Sequence, residues 1–87
     1  MNNQKLIYTE KDHKGQAQVI HAADCREGKA AKAYASGYGQ GDNCNWDTYT
    51  AETREAFTNK LRGIYGDEEV DEYIIPDAKW EPCVTIK

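Results

Sequence analysis

Long apolar runs are missing from this 87-residue chain. It holds two Leu, three Val, six Ile and one Phe, together 14% of the residues. That lies below the ~20% that usually separates folded from disordered chains. Nothing approaches the ~20 consecutive apolar residues of a membrane span. The opening Met-Asn-Asn-Gln-Lys has no apolar segment of the signal-peptide kind. The cysteines are an odd, widely spaced set, Cys25, Cys44 and Cys83, which is a poor disulfide framework. A soluble, cytoplasmic protein with no membrane partner is expected. Equally absent are a Gly-x-Ser-x-Gly elbow, a Walker lysine loop and a His-Glu-x-x-His helix.

What the chain does have is six Tyr, two Trp and ten Ala. Aromatic rings carry a large apolar area each, so a small core of aromatics and alanines can replace the missing aliphatics. At this length one domain is expected, over residues 1–87, because a second would have no core of its own.

The order of elements follows from periodicity. Residues 5–10 and 16–22 alternate around the polar, Gly-containing loop 11–15, as a β-hairpin does. Asp24 with Glu27 has the spacing of a capping box, so a helix is predicted over 25–37. Its apolar stripe is Ala31, Tyr34, Ala35 and Tyr38, and Gly37, Gly39 and Gly41 end it. Residues 39–50 read as a loop carrying Trp46 and Tyr49. Thr50 caps a second predicted helix, 51–65, with Phe57, Leu61, Ile64 and Tyr65 inward and Gly66 at its end. Asp67 can cap one more short turn. Residues 72–75 and 79–87 then read as a closing hairpin, with Pro82 placing the last strand at an edge. The expected class is α+β: a small antiparallel sheet in the order β-β-α-α-β-β, with two helices packed on one face.

Candidate chemistry is sparse. Gly-Tyr-Gly-Gln-Gly at 37–41 follows a helix and precedes no Lys-Ser/Thr, so it reads as a helix stop and not as a phosphate cradle. Cys25, Cys44 and Cys83 with His21 make a Cys₃His donor set that zinc accepts, and His13 is a substitute histidine. No two of these cysteines have the short spacing typical of structural zinc. The leading reading therefore assigns no metal, no cofactor and no catalytic residue. A zinc-binding nucleic-acid or adaptor module built on those four residues is the alternative. A small thiol enzyme centred on Cys25 and His21 is a further one, since a helix N-terminus lowers a thiol pKa.

Charge is distributed unevenly. The net charge is −4. The first-third bases Lys5, Lys11, Lys14, Arg26, Lys29 and Lys32 are interleaved with Glu10, Asp12, Asp24 and Glu27, too weak a footprint for direct nucleic-acid binding. Residues 67–81 carry Asp67, Glu68, Glu69, Asp71, Glu72, Asp77 and Glu81 against Lys79 alone. Negative charge beside exposed Tyr73 and Trp80 suits docking on a basic groove, including one that normally holds nucleic acid. Trp46 and Tyr49, placed in the loop, add aromatic anchors of the kind found in interface hot spots. The partner-binding set is thus Trp46, Tyr49, Asp67, Glu68, Glu69, Asp71, Glu72 and Tyr73.

With its alternating runs 5–10 and 16–22, Asp24-x-x-Glu27 and the 67–81 acidic run, the chain resembles small phage and mobile-element inhibitors of host machines, anti-CRISPR proteins among them. The resemblance implies a non-enzymatic inhibitor that occupies a partner's surface, often one that binds DNA or guide RNA. Either a monomer or a homodimer is compatible with it.

Overall fold

The computed structural model describes residues 3–37 and 45–87. Tyr38, the glycines at 39 and 41, and Cys44 lie outside the described residues. The fold is a small α+β one. In chain order it comprises β1 (Gln4–Lys11), β2 (Ala17–Ala22), α1 (Arg26–Ala35), β3 (Trp46–Ala51), α2 (Arg54–Tyr65), α3 (Asp67–Glu69) leading directly into a π-helical turn (Val70–Ile74), and β4 (Lys79–Trp80). The sheet order is β3-β1-β2-β4. β1 runs antiparallel to both neighbours, whereas β4 is parallel to β2.

The expected antiparallel sheet with two helices on one face is corrected in its arrangement. Four consecutive residues of β1, Leu6, Ile7, Tyr8 and Thr9, are buried. Side chains alternate between the faces of a strand, so both faces must be covered. Leu6 and Tyr8, with Ile20 of β2, join the main core with Phe57, Leu61, Val70, Ile74, Val84 and Ile86. Ile7 pairs with His21 and Thr48, and Thr9 with Val19 and Trp46, on the opposite face. There α1 covers the sheet: its Lys32, with the C-cap Ser36, borders a small cavity shared with Lys5, Ile7 and Thr48. Gly28 allows the closest approach, because a Cβ there would stand 2.0 Å from the Ala22 carbonyl oxygen.

The caps differ from expectation by short shifts. α1 is capped by Cys25, whose Sγ accepts the Gly28 N–H at 3.2 Å, and not by Asp24. Glu27 instead reaches back to Lys14 at 2.7 Å and His13 at 3.2 Å. Lys14 holds the Glu27 carboxyl below its ordinary range. α2 is capped by Thr53, whose Oγ1 accepts the Ala56 N–H at 3.0 Å, in place of Thr50. Thr50 belongs to β3, the edge strand that occupies part of the expected loop. Trp-Asp-Thr-Tyr-Thr is rich in aromatic and β-branched residues, which suit a half-buried pleated surface. Gly66 ends α2 with φ 94°, as expected.

The closing hairpin does not form. Val70 and Ile74, four residues apart, both enter the core, so 70–74 follows a helical period and not an alternating one. The Ile75 N–H closes the turn on the Val70 carbonyl at 2.8 Å. β4 is an edge strand of two residues, and the ladder stops after the Glu81 N–H bonds to the Ile20 carbonyl at 2.9 Å. Pro82 has no N–H to continue it. The chain turns there and is tied down by Gln4, whose Nε2 donates to the Cys83 carbonyl and whose Oε1 accepts the Thr85 N–H, both at 2.8 Å. Val84 and Ile86 still reach the core. No helix among the described residues is long and apolar enough to cross a membrane.

Candidate functional site

Two regions of the molecule carry unexplained polarity. The first is the acidic segment. Asp67, Glu68, Glu69, Asp71 and Glu72 are all exposed, while Val70 and Ile74 anchor the same segment in the core. The carboxylates are therefore displayed from a pinned backbone. Arg62 of α2 holds Asp71 through one carboxylate oxygen, Oδ1, which accepts from Nε at 2.9 Å and lies 2.7 Å from Nη2. Tyr73 is 58% exposed and Ile64 48%, and these are the large exposed apolar side chains among the described residues. They bracket the acidic run in sequence. Ile64 was expected in the α2 core stripe; the stripe is in fact Phe57, Thr58 and Leu61.

Trp46 and Tyr49 are not free anchors in a loop. Both are half-buried residues of β3, and their odd spacing sends them to opposite faces of the sheet. Trp46 lies on the α1 side under the Lys32 ammonium, 5.1 Å from its ring. Tyr49 packs against Phe57, with ring centres 6.4 Å apart, and lies 5.9 Å from the Lys60 ammonium. Tyr49 thus shares a face with α2, and Trp46 does not. Trp80 is half-buried too, against Phe57 and beneath Arg54.

The second region gathers His21, Cys25 and Cys83. Their donor atoms lie within 4.8 Å of one another. His21 comes from the end of β2, Cys25 from the cap of α1, and Cys83 from the turn after β4. The two sulfurs are 3.2 Å apart, and both thiols are free. Each sulfur accepts a backbone N–H: Gly28 donates to Cys25 at 3.2 Å and Ala22 to Cys83 at 3.1 Å. His21 is fully buried, and neither ring nitrogen has a hydrogen-bond partner. Burial pushes its pKa down against the pull of Glu81 and Asp12, which favours the neutral imidazole. Burial also pushes the Cys83 thiol up, partly offset by the Ala22 N–H.

Asp12, which sequence reasoning left among the mixed charges of the first third, stands behind His21. It is fully buried. Its Oδ1 accepts the Lys14 and Gln16 N–H groups at 3.0 and 2.8 Å, and its Oδ2 accepts the Gln16 side chain at 3.1 Å. Oδ2 also faces His21 Nε2 at 3.6 Å, too long for a hydrogen bond. The Asp at the head of a Gly-ending hairpin loop was the available signal, because such a side chain folds back on the turn amides. A cleft of about 370 Å³ opens on the group, lined by His21, Cys25, Arg26, Glu27, Glu81, Pro82 and Cys83.

The structure therefore brings together three of the four residues of the sequence-derived Cys₃His set. The fourth, Cys44, lies outside the described residues. No family model, no curated protein and no solved structure matches the chain.

Proposed function

We propose that this protein is a non-enzymatic binding module that docks its acidic segment onto a basic protein surface and occludes it. The observation that supports this reading most is the pairing of charge with apolar contact area. Five exposed carboxylates lie within residues 67–72, and the two large exposed apolar side chains among the described residues, Ile64 and Tyr73, flank them in sequence. Carboxylates steer the encounter with a basic groove, and an aromatic anchor supplies the short-range binding energy. Because Val70 and Ile74 hold the segment, little conformational entropy is lost on docking. The surface best matched by such a face is one that binds nucleic-acid phosphates. The expected role is that of an inhibitor or modulator of a nucleic-acid-handling complex, as in the phage inhibitors the sequence resembles.

The experiment is affinity capture from a lysate of the cell in which the gene resides. Wild type is compared with Glu68→Lys/Glu69→Lys/Glu72→Lys, which spares the Arg62–Asp71 contact. Recovery of a nucleic-acid-binding complex by wild type, and its loss with the variant, supports docking through this face. Equal recovery by both removes the acidic segment from the interface.

A further inference from the structure

We propose that His21, Cys25 and Cys83 form a zinc site, with two thiolates and one imidazole as ligands and a fourth position open to the cleft. The site is separate from the acidic docking face and does not depend on it. Three observations converge. The three donor atoms already lie within 4.8 Å of one another, although Cys83 is 58 positions from Cys25 in sequence. Two thiolates and an imidazole are a donor set that zinc prefers over magnesium or calcium. His21 is completely buried with both nitrogens unpartnered. A buried polar group without a partner is destabilising, and a metal–nitrogen bond gives it one.

The surroundings fit a metal-held thiolate pair. Each sulfur already receives a backbone N–H, from Gly28 and from Ala22. Such donors stabilise negative sulfur and orient it, as outer-shell partners do at metal centres. Asp12 Oδ2 stands 3.6 Å from His21 Nε2, on the same histidine that an outer-shell carboxylate would orient at a metal centre. Zinc entering as a dication displaces the two thiol protons, which pass to solvent. The resulting Cys₂His centre carries no net charge, so it sits in a half-buried site without a large desolvation penalty. The open position takes a solvent molecule facing the cleft wall, which includes Glu81, whose Oε2 lies 3.6 Å from the Lys79 ammonium.

Such a site would staple the C-terminal segment, which has only a two-residue ladder, to β2 and α1. It also separates the metal reading from the thiol-enzyme reading. A Cys–His nucleophile needs an exposed, reactive thiolate, whereas a metal-held thiolate is shielded.

The test uses the full chain, reduced and metal-free, titrated with Zn²⁺ against a chelating indicator. One zinc per chain is expected, with submicromolar affinity and release of about two protons. Cys25→Ser and Cys83→Ser should each weaken binding by roughly 100-fold. Because a cysteine variant can lose its fold, Co²⁺ is added to the wild type as a second readout. Tetrahedral d–d bands with sulfur-to-cobalt charge transfer are expected. The proposal is overturned if the wild type takes no zinc at micromolar concentration, or if both serine variants bind as well as wild type. Rapid alkylation of Cys25 that persists under saturating zinc also overturns it.

Discussion

Cys25 and Cys83, 58 positions apart in sequence, hold their sulfurs 3.2 Å from each other at the junction of β2, α1 and the C-terminal turn. Each sulfur also accepts an amide proton. The two cysteines are therefore structural acceptors even before any metal is considered, and this has a measurable consequence. Cys25 caps α1 through sulfur, a weaker acceptor than oxygen. In reduced, metal-free protein, Cys25→Ser should match or exceed wild-type stability. Cys25→Ala, which leaves the Gly28 N–H without its partner, should cost about 1 kcal/mol. Urea titration of the three proteins distinguishes the outcomes.

Glycine substitutions should separate the two long helices. Gly28→Ala in α1 drives a Cβ toward the Ala22 carbonyl, 2.0 Å away, and backbone on both sides must move. A loss of about 1–3 kcal/mol is expected, the scale of overpacking. Gly63→Ala in α2 meets nothing within 4 Å. It should stabilise by about 0.5–1 kcal/mol through helix propensity. Thermal melts of the pair give shifts of opposite sign.

The fold should be sensitive to alkali. Tyr8 and Tyr65 meet edge to face, with ring centres 5.6 Å apart. Tyr8 donates to Gln18 and Tyr65 to Asp47. Burial raises both phenols well above their ordinary value, and nearby carboxylates add to it. An unfolded chain releases these protons near pH ~10, while the folded chain keeps them. In that range the folded state binds more protons, so stability falls as pH rises beyond it. Tyr65→Phe removes one ionising group and should make the decline shallower, as followed by circular dichroism against pH.

The Arg62–Asp71 contact should set the rigidity of the acidic segment. Both side chains are partly exposed, so Arg62→Ala should lower global stability by no more than about 1 kcal/mol. Its local effect should be larger. Faster hydrogen exchange at the Ile75 amide, which closes the π-helical turn on Val70, is the expected signature.

The class of fold and both long helices were legible in the sequence because they rest on local periods. Phe57 and Leu61 mark the α2 core stripe, and Gly66 its end. What was not legible depends on partners distant in sequence. Leu6-Ile7-Tyr8-Thr9 reads as an alternating strand until α1 and α2 are known to cover opposite faces. Val70 and Ile74 obey a helical period, but a stretch of Glu-Tyr-Ile-Ile next to a proline imitates a strand. His21 and Cys25 are neighbours in sequence, but Cys83 reaches them because β4 lies parallel beside β2, a pairing the expected antiparallel hairpin did not contain. The acidic run was legible as charge, whereas the exposure of Ile64 beside it was not.

The docking account is tested most directly by competition. The captured complex is loaded with labelled nucleic acid, and wild type or Glu68→Lys/Glu69→Lys/Glu72→Lys is titrated in. Displacement of the nucleic acid by wild type, with at least a tenfold (about 1.4 kcal/mol) loss of potency in the variant, is the expected result. Simultaneous binding of protein and nucleic acid, or equal potency of the two proteins, would contradict occlusion by the acidic face.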